Sequence, residues 1–175
     1  MHEFFCSDHH FGHSSIIDYE DRPFKCADEM DLYMIDKWNS VVSKDDMVFH
    51  LGDFSFHNKY DTSDIVSRLN GRIVLVKGNH DSHSNKWYRE VGMHEVVQWS
   101  IIRHGFLILS HEPVYLEKAT PYRNIHGHVH GISHQRAGYY FNVSVENINY
   151  TPVTLEYIAG FLDTSDMVKK DVGEE

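Results

Sequence analysis

At 175 residues, with 41% hydrophobic and 13% aromatic content, the chain is sized for one domain with a sizeable core, which excludes a disordered protein. A formal net charge of −10 argues against a protein that wraps long nucleic acid, which would show a basic face. It leaves room for a small phosphorylated substrate at a site made locally positive by bound metal. Two cysteines, Cys6 and Cys26, make neither a disulfide scaffold nor a thiolate zinc site. No basic n-region precedes a longer apolar stretch, and no apolar run nears the ~20 residues that span a bilayer, so a cytoplasmic protein with no membrane association is expected.

In chain order, residues 3–8 read as a short buried strand and residues 14–26 as irregular, broken by Arg22-Pro23-Phe24. Met30, Met34, Ile35 and Trp38 share one face of a helix over 28–42. Residues 46–51 form a second strand. Thr62 or Ser63 caps a helix that runs to about Asn70, with Ile65, Val66 and Leu69 inward. Asn70-Gly71 is a turn, residues 72–77 a third strand, and 84–91 a short helix. Beyond Gly92 strands dominate: 96–103, 106–110, one through Ile125, 139–145 and 152–155. A helix follows over 155–161. Alternating strands and helices, then mostly strands, predict an α/β domain over 1–163 with a parallel sheet in its first half; residues 164–175 are a polar tail.

The informative feature is histidine, 15 in all, gathered in clusters. These are Asp8-His9-His10 with His13, His50-Leu51-Gly52-Asp53, Gly78-Asn79-His80-Asp81, Ser110-His111 and His126-Gly127-His128-Val129-His130. Each follows an apolar strand. Ligands bind at the carboxyl ends of strands in open α/β sheets, so the clusters belong on one rim. Imidazole and carboxylate together suit Mn²⁺, Fe²⁺ or Zn²⁺. Asp8 and His10, like His128 and His130, stand two apart and can face one side. Gly52 and Gly78 precede Asp53 and Asn79, where a residue without a side chain permits close approach. Asp53 is a natural bridging carboxylate.

The set Asp8-x-His10, Gly52-Asp53, Gly78-Asn79-His80-Asp81, His111 and Gly127-His128-x-His130 resembles, in order, the motifs of the calcineurin-like metallophosphoesterases. The likeness covers residues 3–145. His10-Phe11-Gly12-His13, Arg22-Pro23-Phe24 and Trp38-Asn39 are similar to a small bacterial and phage subgroup. The resemblance implies a four-layer α/β/β/α sandwich of two mixed sheets. It implies two divalent metal ions, Mn foremost with Fe, Zn, Ni or Co compatible. Asp8, His10, Asp53 and His130 would hold one, and Asp53, Asn79, His111 and His128 the other. A bridging hydroxide would be the nucleophile. His80 would serve the leaving group, oriented by Asp81.

His9, His13 and Arg22 are candidate substrate contacts, with a structural role as the alternative for each, and Lys77 and Arg123 have the same two readings. Phe11, Phe24, Phe54 and Phe56 offer an aromatic wall. The expected activity is phosphodiester hydrolysis on a nucleotide-like or other small substrate. The alternatives are a phosphomonoesterase or protein phosphatase, a nuclease that the charge disfavours, and a non-enzymatic scaffold of the same fold.

Overall fold

The structure, a computed structural model, describes residues 1–117, 120–132 and 138–162. Alternation along each strand sorts side chains into two cores. In the first sheet β1 (Glu3–Cys6), β2 (Met47–His50), β3 (Arg72–Val76) and β4 (Glu95–Val97) run parallel, in the order β4-β3-β2-β1. β9 (Val153–Thr154) pairs antiparallel with β1 at the edge. Phe4, Cys6, Val48, Ile73 and Leu75 point to one face. There they meet Met30, Met34, Ile35 and Trp38 of α2 (Ala27–Val41), Ile65 and Val66 of α3 (Lys59–Arg68) and Tyr88 of α4 (Asn85–Glu90). The helix over 28–42 thus forms with the face its spacing predicts.

Phe5, Phe49, Val74 and Val76 point the other way, against Leu107, Leu109 and Ile125 of a second sheet and Val143 just past its last strand. Burying each such side chain contributes about 1.5–3 kcal/mol. That sheet is β5 (Ile101–Arg103), β6 (Leu107–Leu109), β7 (Arg123–His126) and β8 (Tyr140–Asn142). β5–β6 is antiparallel; β6–β7 and β7–β8 are parallel, so both sheets are mixed. α5 (Leu155–Ala159) adds Ile158 to this inter-sheet core. On the outer face of the second sheet, the Asn124 Oδ1 accepts from Val114 N–H at 2.9 Å and the Tyr140 Oη from Leu116 N–H at 3.1 Å. Among the described residues that face carries this loop, where the resemblance implies a helical layer.

Three expectations change. Residues 14–26 include α1 (Ser15–Tyr19), too short to display periodicity and anchored by buried Ile16 with Ile17 packed beside it. The helix expected to start at Thr62 or Ser63 begins a turn earlier. Asn58 caps it, accepting from Tyr60 and Asp61 N–H at 2.9 and 3.1 Å, while Thr62 is buried inside. The strand expected over 96–103 is two strands, β4 and β5, in different sheets, so this is the crossing from one layer to the other. The polar tail lies outside the described residues.

Candidate metal centre

The chain delivers its candidate ligands just past the ends of β1, β2, β3, β6 and β7. Five of them depart from ordinary backbone: Asp8 (φ 60°), His10 (52°), Asp53 (55°), His128 (70°) and His130 (43°) are left-handed. Asp and His tolerate that region better than most residues, yet such backbone costs of order 1–3 kcal/mol each and collects at functional sites. Cross-strand bonds hold it: Asp8 N–H to Gly52 O at 3.0 Å and His10 N–H to Asp53 O at 3.1 Å. Gly52 (φ +98°) and Gly78 make the approach possible; a Cβ on Gly78 would lie 2.2 Å from Asp53 Oδ1.

The side chains converge as two groups sharing Asp53. In one, ligand atoms of Asp8, His10 and His130 lie within 4.8 Å of one another. His10 Nε2 stands 3.9 Å from Asp8 Oδ1 and 3.6 Å from Asp53 Oδ2. In the other, Asn79 Oδ1 lies 2.8 Å from His111 Nε2 and 3.0 Å from His128 Nδ1, the two nitrogens being 3.1 Å apart. His111 Nε2 is 3.5 Å from Asp53 Oδ2. The Leu51 carbonyl can only accept, so His111 Nδ1 donates to it at 2.8 Å. In the neutral ring Nε2 then carries a lone pair, and it faces the oxygen of Asn79. Donor atoms gathered this tightly suit a shared cation.

Burial says the same of the first group. Among the described residues, Asp8 Oδ1 and both ring nitrogens of His10 are buried without a hydrogen-bond partner. Each such atom costs about 1–3 kcal/mol unless something satisfies it. Burial raises the Asp8 and Asp53 carboxyls above the usual carboxylate range, against the pull of nearby His111. It also drives His10 down to about 2, with Arg22 and neighbouring imidazoles adding to the effect, so the ring is neutral and able to ligate. Paired carboxylates and bare imidazoles are what a divalent ion stabilises.

Behind these atoms lies a supporting layer that partly corrects the sequence reading. Arg22, a candidate substrate contact, is buried with its guanidinium turned to the protein's own groups. Its guanidinium donates to the carbonyls of Asp8 (2.7 Å) and His9 (2.9 Å) and pairs with Glu146 at 2.6 Å. Glu146 in turn accepts from His130 Nδ1 at 3.1 Å, which turns the opposite ring nitrogen away from this bond and fixes the tautomer. Glu146 sits in a 3₁₀ turn (Val145–Ile148) and carries no sequence signal. Ser144 Oγ and His128 N–H both donate to Asp8 Oδ2 at 2.9 Å, leaving Oδ1 for the site. His9, expected at the substrate, is 0% exposed, with Nδ1 2.9 Å from His50 Nε2. Cys6, His9 and His50 form a third ligand-like group, in the aromatic core beside Trp38, Phe11 and Phe54.

Asp81 also differs from expectation. Its carboxylate accepts from the N–H groups of Asp53 (2.7 Å), Gly78 (2.8 Å) and Phe54 (3.2 Å) and from the Tyr88 hydroxyl (3.3 Å). It binds two ligand loops together and leaves the His80 ring to others. That ring stands at the open side, half exposed, with Nε2 4.0 Å from Asp53 Oδ2. His13 lies at the mouth, stacked on Phe56 at 4.1 Å. Lys77 donates to His83 O at 2.7 Å. Arg123 is buried with its guanidinium 4.2 Å over the Tyr139 ring. A groove of 560 Å³ between α2 and α3, lined by Asp28, Asp61, Asp64 and Arg68, contains none of the candidate ligands.

The chain is 32% identical over 173 residues to the uncharacterized protein MJ1445 of Methanocaldococcus jannaschii, an alignment covering 93% of this chain and 92% of that one. The chain belongs to the family of this archaeal protein. No protein-family model matches it. AQ665, a protein of unknown function from Aquifex aeolicus, has a similar crystal structure with a TM-score of 0.69 and 27% identity, covering 91% of this chain and 98% of that one. The Pseudomonas putida nuclease MPE is similar at a TM-score of 0.51 and 20% identity, over 73% of this chain and 61% of the nuclease, a likeness of fold. No helix among the described residues is long and apolar enough to cross a membrane.

Proposed function

We propose that this protein is a two-metal phosphoric ester hydrolase of the calcineurin-like metallophosphoesterase superfamily, acting as a phosphodiesterase on a small, nucleotide-like substrate. The observation that carries the reading is the shared Asp53. Its Oδ2 lies 3.6 Å from His10 and 3.5 Å from His111, between the unpartnered buried atoms of Asp8 and His10 on one side and the converging Asn79, His111 and His128 on the other. Asp8, His10, Asp53 and His130 would hold one ion, and Asp53, Asn79, His111 and His128 the other, with manganese the first candidate. Two divalent ions there would supply Lewis acidity toward a phosphate oxygen and a water acidic enough to attack near neutral pH.

The chain's own groups do the rest. The left-handed turns and the Arg22–Glu146–His130 relay fix the ligand directions before substrate arrives, as preorganised catalysis requires. His80 keeps its backbone tied to Asp53 Oδ1 at 2.9 Å while its ring faces the open side, where it can deliver a proton to a departing alkoxide. General acid help of this kind is worth about 10²–10⁴-fold. A phosphomonoesterase would use the same centre, so the test is a Mn²⁺-supplemented panel of an aryl phosphodiester, an aryl phosphomonoester, cyclic nucleotides and short single-stranded DNA. The diester should be the best substrate. A preference for the monoester overturns the diester reading, and a preference for the DNA makes the protein a nuclease.

A further inference from the structure

Two separate clefts meet at Asn79. One, of 310 Å³, is lined by Asn79, His80, Phe56 and His83. The other, of 400 Å³, is lined by Asn79, His111, Lys77, Trp99 and Glu112. Both fall in the range of small-molecule pockets, about 300–1,000 Å³. We infer that they divide one phosphodiester between them: the leaving group occupies the His80 cleft, and the retained substituent, a neutral aromatic group such as a nucleoside, lies against Trp99. This rests on the phosphodiesterase reading and deepens it.

The division follows from which residues stand where. His80 lines only the first of these two clefts, and a proton donor must sit on the leaving-group side. Phe56 walls that cleft and is held from behind by stacking on His13 and, at 5.2 Å, on His10. In the second cleft Trp99 is 78% exposed, a large bare ring beside two candidate ligands. Every base offers a π face, so such a ring stacks nucleosides without reading their sequence. Charge excludes a longer strand. Among the described residues lining this cleft the one ammonium, Lys77, is spent on the His83 carbonyl at 2.7 Å and Gln98 Oε1 at 3.4 Å. Glu112 would repel a second phosphate. A monoester would fill one cleft and leave the other without an occupant.

The test keeps 4-nitrophenol as leaving group and changes what is retained. The Mn²⁺-loaded protein is assayed on the 4-nitrophenyl ester of thymidine 5′-phosphate and on methyl 4-nitrophenyl phosphate, and calorimetry follows binding of thymidine 5′-phosphate. The nucleoside ester should be preferred. Trp99→Ala should raise its KM about tenfold, the scale of one lost base–aromatic stack, with kcat held and the methyl ester unaffected. Trp99→Phe should restore most of the preference, and thymidine 5′-phosphate should bind about tenfold more weakly to the alanine variant. Equal losses on both esters, or no loss on either, overturn the proposal while leaving the phosphodiesterase reading intact. Trp99-dependent nucleotide binding without hydrolysis of either ester upholds the cleft and removes the activity.

Discussion

Replacing Asp81 by Asn separates two roles for this residue. Its Oδ2 accepts two N–H groups, from Asp53 at 2.7 Å and Gly78 at 2.8 Å, and Oδ1 accepts from Phe54 N–H and Tyr88 Oη–H at 3.2 and 3.3 Å. Asn keeps one oxygen. With that oxygen on Asp53 and Gly78, the new NH₂ meets the Phe54 N–H donor to donor, while the Tyr88 hydroxyl can turn and accept. One bond to a charged acceptor is lost, about 1.5–3 kcal/mol, and a buried N–H goes unpaired, about 1–3 kcal/mol. The expected cost is therefore about 2.5–6 kcal/mol, a large part of a domain's roughly 5–15 kcal/mol. Urea denaturation of the metal-free protein should show it as a lower midpoint. Because the loops of Asp53 and Asn79 loosen together, Mn²⁺ affinity should also drop by about 10–100-fold, as when outer partners of metal ligands are removed. An unchanged midpoint and unchanged Mn²⁺ affinity, with loss confined to esters of poor leaving groups, would refute this and make Asp81 the group that orients His80.

Three further outcomes are expected. Glu146→Gln should weaken Mn²⁺ binding by about 10–100-fold and recover activity at saturating metal, because His130 loses its charged partner at 3.1 Å; unaltered affinity counts against the relay. His80→Ala should bind metal normally yet lose about 10²–10⁴-fold on alkyl esters and little on nitrophenyl esters; full turnover of an alkyl ester removes His80 from the reaction. Burial holds His50 at about 3, whereas in the unfolded chain it takes up a proton near ~6.5. The stability this neutral ring contributes is full above that value and is lost as pH falls toward 3, at about 1.4 kcal/mol per pH unit. His50→Gln should flatten the metal-free stability profile between pH 6.5 and 5 relative to wild type; parallel profiles contradict it.

The candidate centre was legible because its residues are adjacent to apolar strands. Val48 and Phe49 lead into Asp53, and residues 73–76 lead into Asn79, so strand direction alone puts them on one rim. What supports the centre was hidden by distance in sequence. Glu146 lies 124 residues from Arg22 and reaches His130 only after β8 has paired beside β7. The same applies to Asp81, whose partners at Asp53 and Phe54 come from another loop. His9 misled because period-two reasoning assigns a side but not a depth. It alternates away from Asp8 and His10 into the aromatic core with Trp38 and Phe11. The break between β4 and β5 was invisible because both halves are apolar; their separation is a matter of which sheet each strand joins.

Metal stoichiometry tests the central claim most directly. After stripping and reloading with Mn²⁺, elemental analysis and calorimetry should give two ions per chain, falling to one in His128→Ala, which loses a ligand from one group only. Less than one ion per chain in the reloaded wild-type protein would contradict the two-metal account.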